Sequence, residues 1–233
     1  MEQHEQEWEG IGVYVGDYVQ DGSSGHKVAQ GTGRFDYANG DCYEGEWVAG
    51  CRHGSGSCTF GADGVTYNGE WVRDQMHGAG ELVYAEEGST YVGEFHANSK
   101  HGQGNQRYAD GSEYSGAFLE GKKQGPGKYR NKDGNMYEGE WCANSMHGKG
   151  TYWHNRSGWK YVGDFGKGKR QGQGVLEFKN GDVYDGEFQN NAQHGKGRMQ
   201  YKNGSYYNGE WEANHKTGEG LLVAENGEQY AGV

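Results

Sequence analysis

Five histidines occupy the same local setting, a His-Gly-x-Gly string, at His53, His77, His101, His147 and His194. Imidazole is the commonest protein ligand for transition ions, so a regular set of them raises the prospect of a metal array. Zinc requires its donors about 2 Å from a single ion. If each string lies on a strand and one hairpin separates successive strings, equivalent imidazoles stand two strand spacings apart, roughly 9–10 Å. That gap is too wide for a shared ion, so turn and hydrogen-bonding roles are expected and no metal ligand is assigned. The glycines also invite a phosphate-loop reading, yet no G-x-x-x-x-G-K-[S/T] string occurs and no helical pattern follows a glycine cluster. Each Ser, His or Asp that could enter a catalytic triad sits at a position that recurs along the chain. No catalytic residue is assigned, no cofactor is expected, and the chain reads as a non-enzyme.

Charge carries more information. The formal net charge is −11. Residues 1–120 hold 20 Asp and Glu against 6 Lys and Arg, whereas residues 121–170 hold 4 against 11. Much of the acid falls into one column, Asp17, Glu46, Glu70, Glu94, Glu140, Asp164, Glu187 and Glu210. A solvated face with cross-strand pairing to residues such as Lys149 and Lys196 accounts for it. In the basic stretch, Lys122 and Lys123 fall in one loop and Lys167, Lys169 and Arg170 in another. Between them Trp153 is out of phase with an inward Tyr152, and Trp159 is expected in a turn. Tryptophan beside Lys and Arg is the make-up of a binding hot spot, so these seven residues are the partner-binding candidates. The acidic balance and the lack of a recognisable module argue against nucleic acid.

The elements that must position these groups come from an internal repeat. The string Tyr-x-Gly-[Glu/Asp]-[Trp/Phe/Tyr] begins, with small departures, at Tyr14, Tyr43, Tyr67, Tyr91, Tyr114, Tyr137, Tyr161, Tyr184 and Tyr207, and a cut-off copy begins at Tyr230. The first interval is 29 residues and the rest are 23 or 24. Gly-x-Gly follows each start, and Asn-Gly or Asp-Gly usually precedes the next. Alternation places Tyr43, Gly45 and Trp47 on one face and Glu44 and Glu46 on the other. Two short strands with turn signals between them make one hairpin per copy. Only 32% of the residues are hydrophobic, but there are 46 Gly, 18 Tyr, 7 Trp and 7 Phe. Such a composition cannot fill a thick core; it suits a thin sheet in which rings lie on bare Gly-x-Gly backbone. Copies depart from the pattern at a long first insertion, Val19 to Gln30, and at Ala117, Gln124 and Gly125-Pro126-Gly127 of the fifth. Asn131 and His154 replace the usual second-strand aromatic ring, so copies five and six are expected to be locally weaker.

These features resemble the MORN repeat family, whose signature is similar to Tyr-x-Gly-x-[Trp/Phe] followed by Gly-x-Gly at this period. The resemblance covers Tyr14 to Val233 and leaves a polar N-terminal segment, residues 1–13, outside an array of about nine copies plus a truncated tenth. It implies an all-β fold, a single-layer elongated antiparallel sheet of tandem β-hairpins with a groove-like twist. It further implies an elongated scaffold for protein–protein interaction in the cytoskeleton, with a cytoplasmic home. The opening Ile11-Gly12-Val13-Tyr14-Val15-Gly16 resembles radial spoke head proteins of the ciliary axoneme. The alternative is a membrane-associated scaffold linking phosphoinositide-containing membrane to the cytoskeleton, with weak anionic-lipid contact through the basic stretch. No signal-peptide region or C-x-x-C pair is present, so Cys42, Cys51, Cys58 and Cys142 are expected as free thiols. An unfinished last hairpin beside Leu221, Leu222 and Val223 offers an edge and apolar contacts for a homodimer.

Overall fold

Alternation of apolar and polar residues over runs of 7 to 11 residues, punctuated by Gly, Asn and Asp, leaves the backbone little choice but paired strands. A computed structural model of the chain describes residues 4–8, 10–22, 25–61 and 64–232. Among these residues there is no helix. Two compact units divide at the start of the eleventh strand, residues 1–122 and 123–233.

The first unit is a meander in which each strand pairs antiparallel with the next. Its strands are β1 (His4–Trp8), β2 (Gly12–Gln20), β3 (Lys27–Tyr37), β4 (Cys42–Val48), β5 (Cys51–Phe60), β6 (Val65–Val72), β7 (Gln75–Tyr84), β8 (Ser89–His96), β9 (Ser99–Arg107) and β10 (Glu113–Leu119). The second follows the same plan with β11 (Lys122–Arg130), β12 (Met136–Cys142), β13 (Ser145–His154), β14 (Trp159–Gly166), β15 (Lys169–Glu177), β16 (Val183–Gln189), β17 (Ala192–Gln200), β18 (Tyr206–Glu212), β19 (His215–Val223) and β20 (Gln229–Gly232). Each unit is thus a single-layer antiparallel sheet of consecutive hairpins.

Two kinds of turn alternate. Between copies, the Asn-Gly and Asp-Gly signals make loops closed by a positive-φ glycine, as at Gly40 (φ 90°) and Gly181 (φ 94°). Within a copy, two-residue turns place both central residues at positive φ, as type I′ turns require. Ala97 and Asn98 have φ of 47° and 66°, and Asn190 and Asn191 have 50° and 75°. These turns are stitched to the preceding copy. Asn191 donates its N–H to the Arg170 carbonyl at 3.1 Å, and its side-chain oxygen accepts the Arg170 N–H at 2.8 Å. Asn98 repeats the exchange with Met76, Asn144 with Lys123 and Asn214 with Gln193.

The first insertion does not form a loose loop. It lengthens the hairpin, pairing Tyr18 with Ala29, Val19 with Val28 and Gln20 with Lys27. Nor is the polar N-terminal stretch apart from the sheet: β1 pairs with β2, and Trp8 lies 6.2 Å from Tyr14 and 5.1 Å from Phe35, ring centre to ring centre.

Candidate functional site

The repeat builds two faces of different chemistry. On one, the ring face, each copy lays its leading tyrosine flat on glycine. A Cβ placed on Gly56 would stand 2.2 Å from the Tyr43 hydroxyl and 2.4 Å from its Cζ, so no side chain fits beneath that ring. The Tyr43 hydroxyl then donates to two backbone carbonyls, Glu46 at 3.0 Å and His53 at 3.3 Å. Tyr67, Tyr91, Tyr137 and Tyr184 make the same pair of bonds in their own copies. The array histidines therefore serve this face through their carbonyls. Tyr43, Tyr67, Tyr91, Tyr137, Tyr161 and Tyr184 also meet edge-on the Trp or Phe of their own copy and that of the next. Tyr43 lies 5.0 Å from Trp47 and 5.3 Å from Trp71, and Tyr161 lies 5.2 Å from Phe165 and 4.9 Å from Phe188. Edge-to-face pairs contribute about 0.5–1.5 kcal/mol each beyond their burial.

Cations lie on these rings. The residue that follows each tight turn by two positions points to the ring face, and in five copies it is a cation: Arg52 and Lys100 in the first unit and Lys123, Arg170 and Lys216 in the second. Arg52 stands 4.4 Å from the centre of Trp71, and Lys100 4.9 Å from that of Tyr91. Lys123 is 4.6 Å from Tyr129 and 4.8 Å from Trp141. Arg170 is 5.0 Å from Trp159 and 5.4 Å from Phe188, and Lys216 is 4.7 Å from Tyr207. Desolvation disfavours the charged form of such groups. It lowers the Lys123 ammonium to about 8 and also lowers Lys100 and Arg170. A cation held over a partly desolvated ring is worth about 2 kcal/mol or more.

The opposite, outer face carries the acid column, and its role differs from the expected one. Pairing of β4 with β5 steps from Gly45–Gly56 to Glu46–His53, leaving Gly54 and Ser55 with no opposite number in β4. Gly54 takes φ +55°, and the Glu46 carboxylate reaches into the bulge to accept the Ser55 N–H at 2.9 Å. Glu70, Glu94, Asp164 and Glu187 cap their bulges in the same way. Lys149 does pair with Asp164 at 2.7 Å, but Lys196 meets the column through its backbone N–H to Glu187. The acids chiefly satisfy backbone donors that the bulge removes from the ladder.

The seven basic-stretch candidates do not gather on one surface. Lys123, Trp159 and Arg170 lie on the ring face. Trp159 is not in a turn; it opens β14 opposite His154 and stacks on Tyr152 at 5.4 Å and on His154 at 5.1 Å. Trp153 is on the outer face opposite Lys160 and Met136. Lys122 and Lys169 alternate to the outer side, and Lys167, at φ 49°, forms the tight turn; all three are exposed. Leu221, Leu222 and Val223 are not at an edge, because β20 pairs with β19 through Leu221–Ala231, Leu222–Tyr230 and Val223–Gln229. The outer strand is β20, whose Tyr230 is 56% exposed where the other leading tyrosines are at most 7% exposed. Asn131 replaces ring packing with turn bonds, accepting the N–H groups of Asp133 and Asn135, whereas His154 accepts the Ser157 N–H and keeps its stack on Trp159. Arg52, Lys100 and Lys216 have no local signal in the sequence because each is a lone cation at the second position of its strand. The signal that could have found them is their shared offset from the Trp or Phe of the same copy.

All four cysteines carry free thiols. As the side chains stand, no three His, Cys, Asp or Glu groups among the described residues converge on a point that could hold a metal ion.

The MORN repeat family model matches residues 26–42, 43–64, 67–88, 91–113, 114–136, 137–157, 161–183, 184–206 and 207–229. No curated protein sequence matches the chain. Among solved structures, the TCP10 domain of Danio rerio CPAP in complex with a peptide of Danio rerio STIL is similar at 12% identity and a TM-score of 0.45, over 98% of this chain and 97% of that one. The SAS-4 (dCPAP) TCP domain of Drosophila melanogaster, in complex with a proline-rich motif of Ana2 (dSTIL), is similar at 14% identity and a TM-score of 0.34, over 57% and 84% of the two chains.

Proposed function

The chain belongs to the MORN repeat family, and from that premise we propose that it is a non-catalytic scaffold of the cytoskeleton that holds protein partners on its ring faces. The observation that carries this reading is the row of cations laid on aromatic rings. Strand contacts of any extent in each unit run between consecutive neighbours, so no second layer covers the ring face among the described residues. Aromatic edges with Arg and Lys across them suit a protein segment that brings acidic and apolar side chains together. A ciliary setting, with the chain as a radial spoke head component of the axoneme, is the finer form of the proposal and rests on the resemblance of its opening residues.

The alternative, docking to anionic membrane, would draw on exposed Lys122, Lys167 and Lys169. It is disfavoured by a net charge of −11 and by the placement of Lys123 and Arg170 on rings. Detergent extraction of cells expressing the tagged chain separates the two readings. Retention on an axoneme or another insoluble cytoskeletal structure is expected. Release with the membrane fraction, together with sedimentation on phosphoinositide-containing liposomes, would overturn the proposal.

A further inference from the structure

On the ring face of the second unit, the second residue after each tight turn falls in order on β11, β13, β15, β17 and β19: Lys123, Met146, Arg170, Gln193 and Lys216. Four of them stand directly opposite the large ring of their own copy, as Met146–Trp141, Arg170–Phe165, Gln193–Phe188 and Lys216–Trp211. They form one row across the strands, and along it cations alternate with uncharged side chains. The first unit carries a shorter version, Arg52, Met76 and Lys100, on β5, β7 and β9. The two units differ in how far these cations are already engaged. Arg52 pairs with Asp74 at 3.1 Å, and Lys100 donates to the Gln106 side chain. No ion pair among the described residues engages Arg170 or Lys216. Lys216 is exposed, and Arg170 is half-buried with one guanidinium nitrogen donating to the Asn191 carbonyl. A carboxylate laid beside a cation that rings have partly desolvated makes a stronger hydrogen bond than it would in open water.

The row also has a pitch. Neighbouring strands lie about 4.8 Å apart, so each copy advances ~9.6 Å and successive cations stand ~19 Å apart. A polyproline II segment rises about 3.1 Å per residue with about three residues per turn, or ~9.3 Å per turn. One turn of such a segment therefore matches one copy, and every third residue faces the sheet. A β-strand also spans two copies in about six residues, but its period of two turns the third residue away from the row. An α-helix needs about thirteen residues for that span, or ~3.6 turns, which points its second acid away from the second cation. The polyproline II backbone makes no internal hydrogen bonds and stays solvated, so it can follow the twist of the sheet.

We propose that the ring face of the second unit binds a protein segment in polyproline II conformation that carries acidic side chains six residues apart, with apolar side chains midway between them. The acids meet Lys123, Arg170 and Lys216, and one midpoint meets the Met146 thioether. The inference rests on the ring-face reading above and adds to it the conformation and register of what is read.

The test is fluorescence anisotropy of labelled thirteen-residue peptides titrated with the full chain. The in-register peptide carries Glu at its first, seventh and thirteenth positions and Leu at its fourth and tenth, in a host of Pro and Ala. The control has the same composition with its Glu residues five apart. The in-register peptide should bind at least about tenfold more tightly than the control, and its affinity should fall with added salt. Arg170→Glu and, at an exposed side chain, Lys216→Glu, each confirmed as folded by circular dichroism, should weaken that binding by about fivefold or more. No binding of the in-register peptide, or affinity that both variants leave intact, would overturn the proposal. Equal affinity for the two spacings that still falls with Arg170→Glu would overturn the register and leave the ring-face reading standing.

Discussion

At the scale of the residue, the leading tyrosines Tyr43, Tyr67, Tyr91, Tyr137, Tyr161 and Tyr184 each cover a glycine pair and meet two Trp or Phe rings edge-on. Their hydroxyls close the bulges through backbone carbonyls. That environment holds the neutral phenol. Burial raises Tyr14, Tyr67, Tyr91, Tyr114 and Tyr137 to about 12, and it raises Tyr43, Tyr161 and Tyr184 as well. An unfolded tyrosine ionises near 10. Because the folded value is the higher one, these groups contribute stability that is complete below about pH 10 and is lost as pH rises through about 12. Absorbance at 295 nm during alkaline titration should therefore show the column tyrosines ionising late, together with loss of the near-ultraviolet circular dichroism. Ionisation of all 18 tyrosines by about pH 11 with the dichroism intact would contradict this account.

At the scale of the element, the hairpins were legible because their signal is periodic: Tyr43, Gly45 and Trp47 alternate with Glu44 and Glu46, and the burial of β4 follows that alternation. The role of the glycines was legible for the same reason, since only packing against rings explains their recurrence. Other features have no such periodic signature. Arg73, Glu120 and Lys167 are not turn-type residues, yet each holds φ of 48° to 49° in a tight turn. The stitch between turns joins residues 21 or 22 apart, beyond the reach of a local pattern. Trp159 was misplaced because the turn before it, residues 155–158, is shorter than those of neighbouring copies, 131–135 and 178–182, so β14 starts earlier than the repeat suggests. The fifth copy shows how departures can be coherent: it carries Ala117 at the acid position and Pro126, which has no N–H, at the donor position.

The stitch yields a prediction at this scale. Asn191→Gly keeps a residue that tolerates positive φ but deletes the acceptor for the Arg170 N–H. Urea unfolding should show a loss of about 0.5–1.5 kcal/mol. An unchanged midpoint would mean that the side-chain half of the stitch contributes nothing.

At the scale of the whole molecule, each unit is a run of near-identical copies in which stability is close to a sum over neighbours. Uniqueness then has to come from what varies between copies. On the ring face that variable is the second residue after each tight turn, which runs Arg52, Met76, Lys100, Lys123, Met146, Arg170, Gln193 and Lys216. A partner reading this face meets cations at some copies and thioether or amide at others, against an overall acidic chain. The exposed lysines Lys122, Lys167 and Lys169 offer the same charge without aromatic rings beneath it. Affinity that depends on the first set and not the second is the signature of ring-face recognition.

Quantitative recovery of partners from a cytoskeletal extract tests this claim most directly, comparing the parent chain with Arg170→Glu/Lys216→Glu and with Lys122→Glu/Lys167→Glu/Lys169→Glu, each confirmed as folded by circular dichroism. Reversal on the ring face should reduce recovery of specific partners by about tenfold, the equivalent of ~1.4 kcal/mol, while reversal of the exposed lysines leaves it within about twofold of the parent. Recovery that survives the ring-face changes and falls with the exposed lysines would contradict the account and move the binding surface to the outer loops.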